Sequence, residues 1–133
     1  MRKDSRLSRI LHTLIHLSGF DYPVTSERIG QMLNTNPVVV RRMMGALKRA
    51  GFVTSVKGHN GGWRLAAGLD TITLYDIHRL TGDGSVFTIG LTDEHNNCPI
   101  ERAVNTQISD VLSEAETLML QRFKAITLAQ LAP

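Results

Sequence analysis

Residues 36–51 read Asn-Pro-Val-Val-Val-Arg-Arg-Met-Met-Gly-Ala-Leu-Lys-Arg-Ala-Gly, and residues 52–64 continue Phe-Val-Thr-Ser-Val-Lys-Gly-His-Asn-Gly-Gly-Trp-Arg. Asn36 is a good N-cap, and Pro37 suits a first helical turn, where its missing N–H is no loss. Val40, Met43, Met44, Leu47 and Ala50 recur at helical spacing and share one face, and Gly51 is the stop. At about 100° per residue the opposite face carries Val38, Arg42, Gly45 and Arg49, flanked by Arg41 and Lys48. After Gly51 the period changes. Phe52 to Val56 is rich in β-formers, Trp63-Arg64-Leu65 follows Gly58-His-Asn-Gly-Gly, and Asn60-Gly61 supports positive φ at a hairpin turn.

No Asp or Glu lies between Arg28 and Ala67. A solvated helix face usually mixes both signs at spacings of three or four residues, so a purely basic face needs an external anion. Nucleic acid is the obvious one, because neutralised phosphates release condensed counterions. Lys57 and His59 sit at the hairpin tip. A basic helix followed by a basic-tipped hairpin is the winged-helix arrangement, with one element for the major groove and the other for backbone or minor groove.

Working outward, 133 residues suit one domain plus an appendage, and 42% apolar content is enough for a core. No run of 18 apolar residues indicates a transmembrane helix. The amino terminus leads into an amphipathic helix containing His12 and His16 rather than a signal-peptide core. Cys98 is the sole cysteine, which rules out an intrachain disulfide, and a cytoplasmic protein is the simplest expectation. Residues 1–68 hold eleven Lys/Arg and three Asp/Glu, while residues 69–133 hold four and nine, so +8 and −5 underlie the net +3. The first half is suited to a polyanion and the second to something else.

Leu7, Ile10, Leu11, Leu14 and Leu17 make one face of a first helix stopped by Gly19. Arg2, Lys3, Arg6 and Arg9 crowd its start, where basic charge opposes the helix dipole and favours a phosphate neighbour. His12 and His16 have a metal-compatible spacing, but two ligands alone do not make a structural zinc site. Phe20-Asp-Tyr-Pro-Val is a connector, and Thr25 or Ser26 caps a second helix with Ile29, Met32 and Leu33 inward. Beyond Gly68, Thr73 and Asp76 form a capping box for a short helix with Leu74, Ile77 and Leu80 on its apolar side. Ser85 to Leu91 alternates weakly, as a strand or an ordered loop, and Thr92 to Pro99 is turn-like. From Pro99 to about Phe123, Ile100, Val104, Ile108, Val111, Ala115 and Leu118 form a coiled-coil seam, widened by Leu112 and Met119. A second copy of the chain would cover it; the alternative is a helix folded back on its own domain. Ala125 to Leu131 is a short terminal helix or turn packed on the body.

Leu47-Lys-Arg-Ala-Gly-Phe-Val, Val56-Lys-Gly-His-Asn-Gly-Gly-Trp-Arg-Leu-Ala and Ile72-Thr-Leu-Tyr-Asp-Ile resemble the Rrf2 family of bacterial winged-helix transcription regulators. The Lys-Gly-x-x-Gly-Gly-aromatic wing is the most specific part. The resemblance spans nearly the whole chain and implies a homodimer on a palindromic operator. It implies that Val38, Arg41 and Arg42 match the base-reading segment and that Lys57 matches the basic wing residue entering the minor groove. Family members often have a small or polar residue followed by Glu-Gln where this chain has Val38, Arg41 and Arg42, which leaves the operator sequence open. Many sensing members hold an iron–sulfur cluster on three cysteines in the region where this chain has Cys98 alone; even with His95, that ligand count falls short.

The expected fold is therefore mainly α with a small β-hairpin wing. A winged helix-turn-helix domain over residues 1–68 precedes a linker helix, loop and long dimerisation helix over residues 69–133. DNA contacts are assigned to Val38, Arg41, Arg42, Arg49, Lys57 and His59, and dimer contacts to Val104, Ile108, Val111 and Leu118. Cys98, before Pro99 at the start of the long helix, is either an oxidisable sensor or an inert thiol. The glycine-rich wing lacks a Gly-Lys-Ser/Thr ending and opens no helix, so it is no nucleotide loop. No catalytic set, metal or cofactor is expected. The leading function is a DNA-binding repressor acting as a homodimer, its effector open. The alternative is a winged-helix interaction module that regulates a partner enzyme without reading DNA.

Overall fold

The structure, a computed structural model, describes residues 4–82, 87, 89–92 and 98–133. Its elements are α1 (Arg6–Ser18), α2 (Ser26–Leu33), α3 (Pro37–Arg49), β1 (Val53–Val56), β2 (Gly62–Leu65), a 3-10 turn (Leu69–Thr71), α4 (Leu74–His78), α5 (Pro99–Ala125) and α6 (Leu128–Leu131). This is the expected mainly helical chain with one two-stranded hairpin and a long C-terminal helix.

Local chemistry sets most boundaries. The Thr25 hydroxyl accepts from the Arg28 amide at 3.1 Å and starts α2. The Asn36 carboxamide accepts from the Val38 amide at 2.7 Å and starts α3. Between them the turn folds tightly against α2: a Cβ on Gly30 would stand 2.7 Å from the Thr35 carbonyl oxygen, so only glycine fits. The α3 C-terminus is a Schellman motif, with Phe52 N–H donating to Leu47 O and Gly51 N–H to Lys48 O, and Gly51 at φ +88°. The Thr73–Asp76 capping box forms as expected.

The hairpin is antiparallel, pairing Val53 with Leu65, Thr54 with Arg64, Ser55 with Trp63 and Val56 with Gly62. Its positive φ angles fall on Gly58, Asn60 and Gly62. Gly61, expected to share that role with Asn60, is required for space instead: a Cβ there would collide with the carbonyl oxygens of Val56 and Gly58. The segment before α2 is more than a connector. Val24 and Trp63 exchange backbone hydrogen bonds of 2.9 and 2.8 Å, which adds a one-residue third strand to the wing.

One core joins these elements. Ile10, Leu14 and Leu17 of α1, Ile29 of α2, and Val40, Met44 and Leu47 of α3 are buried together with Val24 and Val53. The core continues past residue 68. Ile72, Ile77 and Leu128 belong to it, and Leu128 N–H donates to Ile72 O while Leu74 N–H donates to Ile126 O. The residues after the wing therefore complete the body. By contrast α5, 27 residues and about 40 Å long, buries none of its residues fully. Its C-terminal end is held by Phe123 edge-on to His78 and by Lys124 over the Tyr75 ring, 4.7 Å from its centroid. Near its start the Asn105 amide donates to Thr92 O. Of the expectations for Ser85–Leu91 and Thr92–Pro99, residues 85, 86, 88 and 93–97 lie outside the described residues.

Leu128→Ala, in the short α6 that looks peripheral, should lower unfolding free energy by about 2–5 kcal/mol through cavity formation. Urea unfolding measures this; a midpoint unchanged from wild type would detach α6 from the core.

Candidate nucleic-acid interface

The face of α3 opposite Met44 and Leu47 is solvent-exposed and carries Val38, 56% exposed, together with Arg42 and Arg49. Lys57 and His59 are exposed at the wing tip. Two side-chain hydrogen bonds tie the wing to the helices, one to α3 and one to α2. The Lys48 ammonium, near the end of α3, donates to the Ser55 hydroxyl in β1 at 2.8 Å, and the Trp63 indole N–H donates to the buried Ser26 hydroxyl at 2.9 Å. Ser26 is thus a wing anchor, and Thr25 alone is the α2 cap.

The cations of this surface fall into two sets. Arg41 is paired with Glu27 of α2 at 2.8 Å, so the face is not purely basic as expected: a carboxylate outside the 28–67 window folds back onto it. Both partners are more than half exposed, which makes the pair weak and exchangeable. Lys48 is committed to Ser55, and Arg64 donates to the Asp21 carbonyl. Arg42, Arg49 and Lys57 have no side-chain partner among the described residues. Neither has Arg28, on the exposed side of α2, a cation to which the sequence assigned no role. At the start of α1, Arg6 is bound bidentately by Asp4. Those bonds hold the Asp4 carboxyl at about 2, well below its usual value. Arg6 is therefore paired locally in an exposed ion pair, while Arg9 has no acidic partner among the described residues. Arg2 and Lys3 lie outside the described residues.

The assigned dimer residues also reach solvent. Val104, Val111 and Leu118 stand seven apart on one face of α5 and are 48%, 63% and 64% exposed, with Ile100 above them at 75%. Ile108 is half-buried, turned towards the inner side of the helix. His12 and His16 sit on the exposed side of α1 with their Nε2 atoms 2.9 Å apart, hydrogen-bonded to each other. Cys98 is half-buried at the N-cap of α5 and makes no capping bond.

The chain is similar to known transcriptional regulators. The family model Rrf2, described as an iron-dependent transcriptional regulator, matches residues 4–133. YwnA of Bacillus subtilis, which carries an HTH-type transcriptional-regulator name, is 28% identical over 116 residues, 87% of this chain and 86% of its own length. The solved structure of CymR, the global cysteine regulator of B. subtilis, superposes with a TM-score of 0.64 at 25% identity, covering 99% of this chain and 96% of that one. IscR of T. potens shares the fold, with a TM-score of 0.72 at 20% identity over 98% of this chain and 85% of that one.

The word "iron" in the family description has a chemical test. Thiolate-held clusters take several cysteine ligands, and this chain has one. Among the described residues no three His, Cys, Asp or Glu side chains converge on a metal position. His95 lies outside the described residues. The donor set does not fit a cysteine-bound iron–sulfur cluster.

Glu27→Gln should free Arg41 for a phosphate. DNA affinity at fixed salt should rise by about 1 kcal/mol or less, and the salt dependence should steepen by about 0.9 in log–log slope. Fluorescence anisotropy across a salt series reads both. A loss of affinity would mean that Glu27 holds Arg41 in a position that reads DNA.

Proposed function

This chain belongs to the Rrf2 family of DNA-binding transcriptional regulators, which are not enzymes, and from that premise we propose that it represses its target genes as a homodimer on a palindromic operator. The observation that carries the proposal is the pairing of an exposed α3 face with a wing tied to it. Arg42 and Arg49 on the helix, and Lys57 on the wing, have no intramolecular side-chain partner among the described residues, while Lys48–Ser55 joins the wing to α3 and Trp63–Ser26 joins it to α2. In the proposed complex α3 enters the major groove. Val38 and Arg42 face base edges, Arg41 exchanges Glu27 for a phosphate or base, and Arg49 contacts backbone. Lys57 and His59 lie along the adjacent minor groove.

The dimer follows from α5. A monomeric soluble protein has no use for Ile100, Val104, Val111 and Leu118 in water on a helix about 40 Å long. A second copy related by a two-fold axis covers the stripe with the same stripe, and the two α3 helices are then presented to half-sites in inverted orientation. In this account residues 1–68 read DNA, and residues 69–133 complete the body and pair the protomers. No helix among the described residues is long and apolar enough to cross a membrane, and the proposed place of action is the cytoplasm.

Arg42→Ala should weaken specific binding by about 1–3 kcal/mol and relax preference at one base position in each half-site. Lys57→Ala should weaken binding to all sequences alike and lower the salt slope by about 1. Operator selection from genomic fragments followed by anisotropy titration measures these; unchanged affinity in both variants would leave a winged helix that docks on a partner protein instead. Leu118→Glu places a charge in the proposed seam and should yield monomers by sedimentation velocity, with sharply reduced affinity for a palindrome. An intact Leu118→Glu dimer would contradict the assigned interface.

A further inference from the structure

A cavity of about 270 Å³ lies between the first half of α1, the middle of α3 and the residues that follow α4. Its walls are apolar: Ile10 from α1, Met43, Ala46 and Leu47 from α3, and Leu80. It opens to solvent on the side of Arg6 and Arg42, and its volume is close to that of the smaller ligand sites, which begin at about 300 Å³. Three guanidinium-bearing residues, Arg6, Arg9 and Arg42, line the same cavity. Arg6 is engaged by Asp4. Arg9, half-buried, and Arg42 have no acidic partner among the described residues. Two cations without an acidic partner among the described residues, beside an apolar chamber, form an amphipathic receptor, because neither feature satisfies the other.

We propose that this cavity binds a small organic anion, a carboxylate with a compact apolar body. The carboxylate is held by Arg9 and Arg42, in charge-assisted hydrogen bonds strengthened by the apolar surroundings. The body fills the space bounded by Ile10, Met43, Ala46 and Leu80. A DNA phosphate uses the cations but has no apolar body to place against those four residues, which is why the lining favours a free acid over the nucleic-acid backbone. The regulatory consequence rests on the DNA-binding reading above. Arg42 is shared, so it cannot hold the acid and face a base at the same time, and the ligand also contacts α3 itself through Met43 and Ala46. Acid and operator are then mutually antagonistic, and by linkage each weakens the other by the same factor.

The test uses the full-length chain and begins without DNA. Calorimetric titrations with hexanoate, benzoate, acetate, inorganic phosphate and hexanamide separate headgroup from body. Saturable binding of hexanoate or benzoate is expected, about tenfold or more tighter than acetate, which lacks the body, or than phosphate and hexanamide, which lack one of the two features. Ala46→Leu fills the chamber and leaves every arginine in place. It should lose about tenfold or more in hexanoate affinity through overlap while keeping operator binding. Arg9→Gln, which needs no repacking, should bring hexanoate down to the level of hexanamide. Saturable acid binding that is indifferent to both substitutions, or no preference for hexanoate over phosphate, overturns the site. A second arm adds hexanoate to the protein–operator complex, where DNA affinity should fall in the wild type and hold in Ala46→Leu. Acid binding without any DNA binding would retain the cavity assignment and remove the function proposed above. DNA binding with no acid binding would do the reverse.

Discussion

The arrangement of this molecule depends on Trp63. Its backbone exchanges two hydrogen bonds with Val24, and its indole N–H donates to the buried Ser26 hydroxyl. One residue thereby fixes the wing, the segment leading from α1, and the first turn of α2. An isolated two-stranded hairpin is marginal in water, and the Val24 bridge supplies the third strand that makes it part of the body. Gly62 permits the approach, since a Cβ there would stand 2.5 Å from the Val24 carbonyl oxygen and 2.9 Å from the Thr25 nitrogen. At the other edge Lys48 and Ser55 tie the hairpin to the end of α3. The hairpin is thus joined to both α2 and α3, which is the arrangement the proposed docking on two adjacent grooves needs.

What varies on that unit is the state of its cations. Some hold the fold together, as Lys48 and Arg64 do. Arg41 and Arg6 are balanced by nearby carboxylates, and Arg42, Arg49 and Lys57 have no side-chain partner among the described residues. Counting charge along the sequence treats all of these alike. The distinction matters because only the uncommitted cations release counterions on binding without first breaking an internal bond. Arg42 lies on the exposed α3 surface and also lines the cavity, so the proposed acid and DNA contacts share it.

The sequence was most legible where structure is decided within three or four residues. Asn36-Pro37, the Gly51 stop and the Thr73–Asp76 capping box depend on near neighbours, and each appears where expected. The long α5 was legible from its apolar repeat, extending to Ala125. Contacts between distant positions were not. Val24 with Trp63, Ser26 with Trp63 and Glu27 with Arg41 join residues that no local pattern links. Thr13 escaped notice for a related reason: it is buried, and satisfies its hydroxyl by donating to the Arg9 carbonyl, a bond invisible to hydrophobic periodicity. The packing of Leu128 on Ile72 likewise arises only when the chain returns after α5. The cavity at Arg9 and Arg42 is lined by residues of α1, α3 and the segment after α4, so no one of them alone announces it.

Hydroxyl-radical footprinting of the protein on a genomic fragment it selects is the most direct test of the account. A two-fold pair of winged helices predicts two protected windows on each strand, related by inverted symmetry and centred about 10–10.5 base pairs or a multiple apart. Uniform cleavage, or a single unsymmetrical window at saturation, would contradict it.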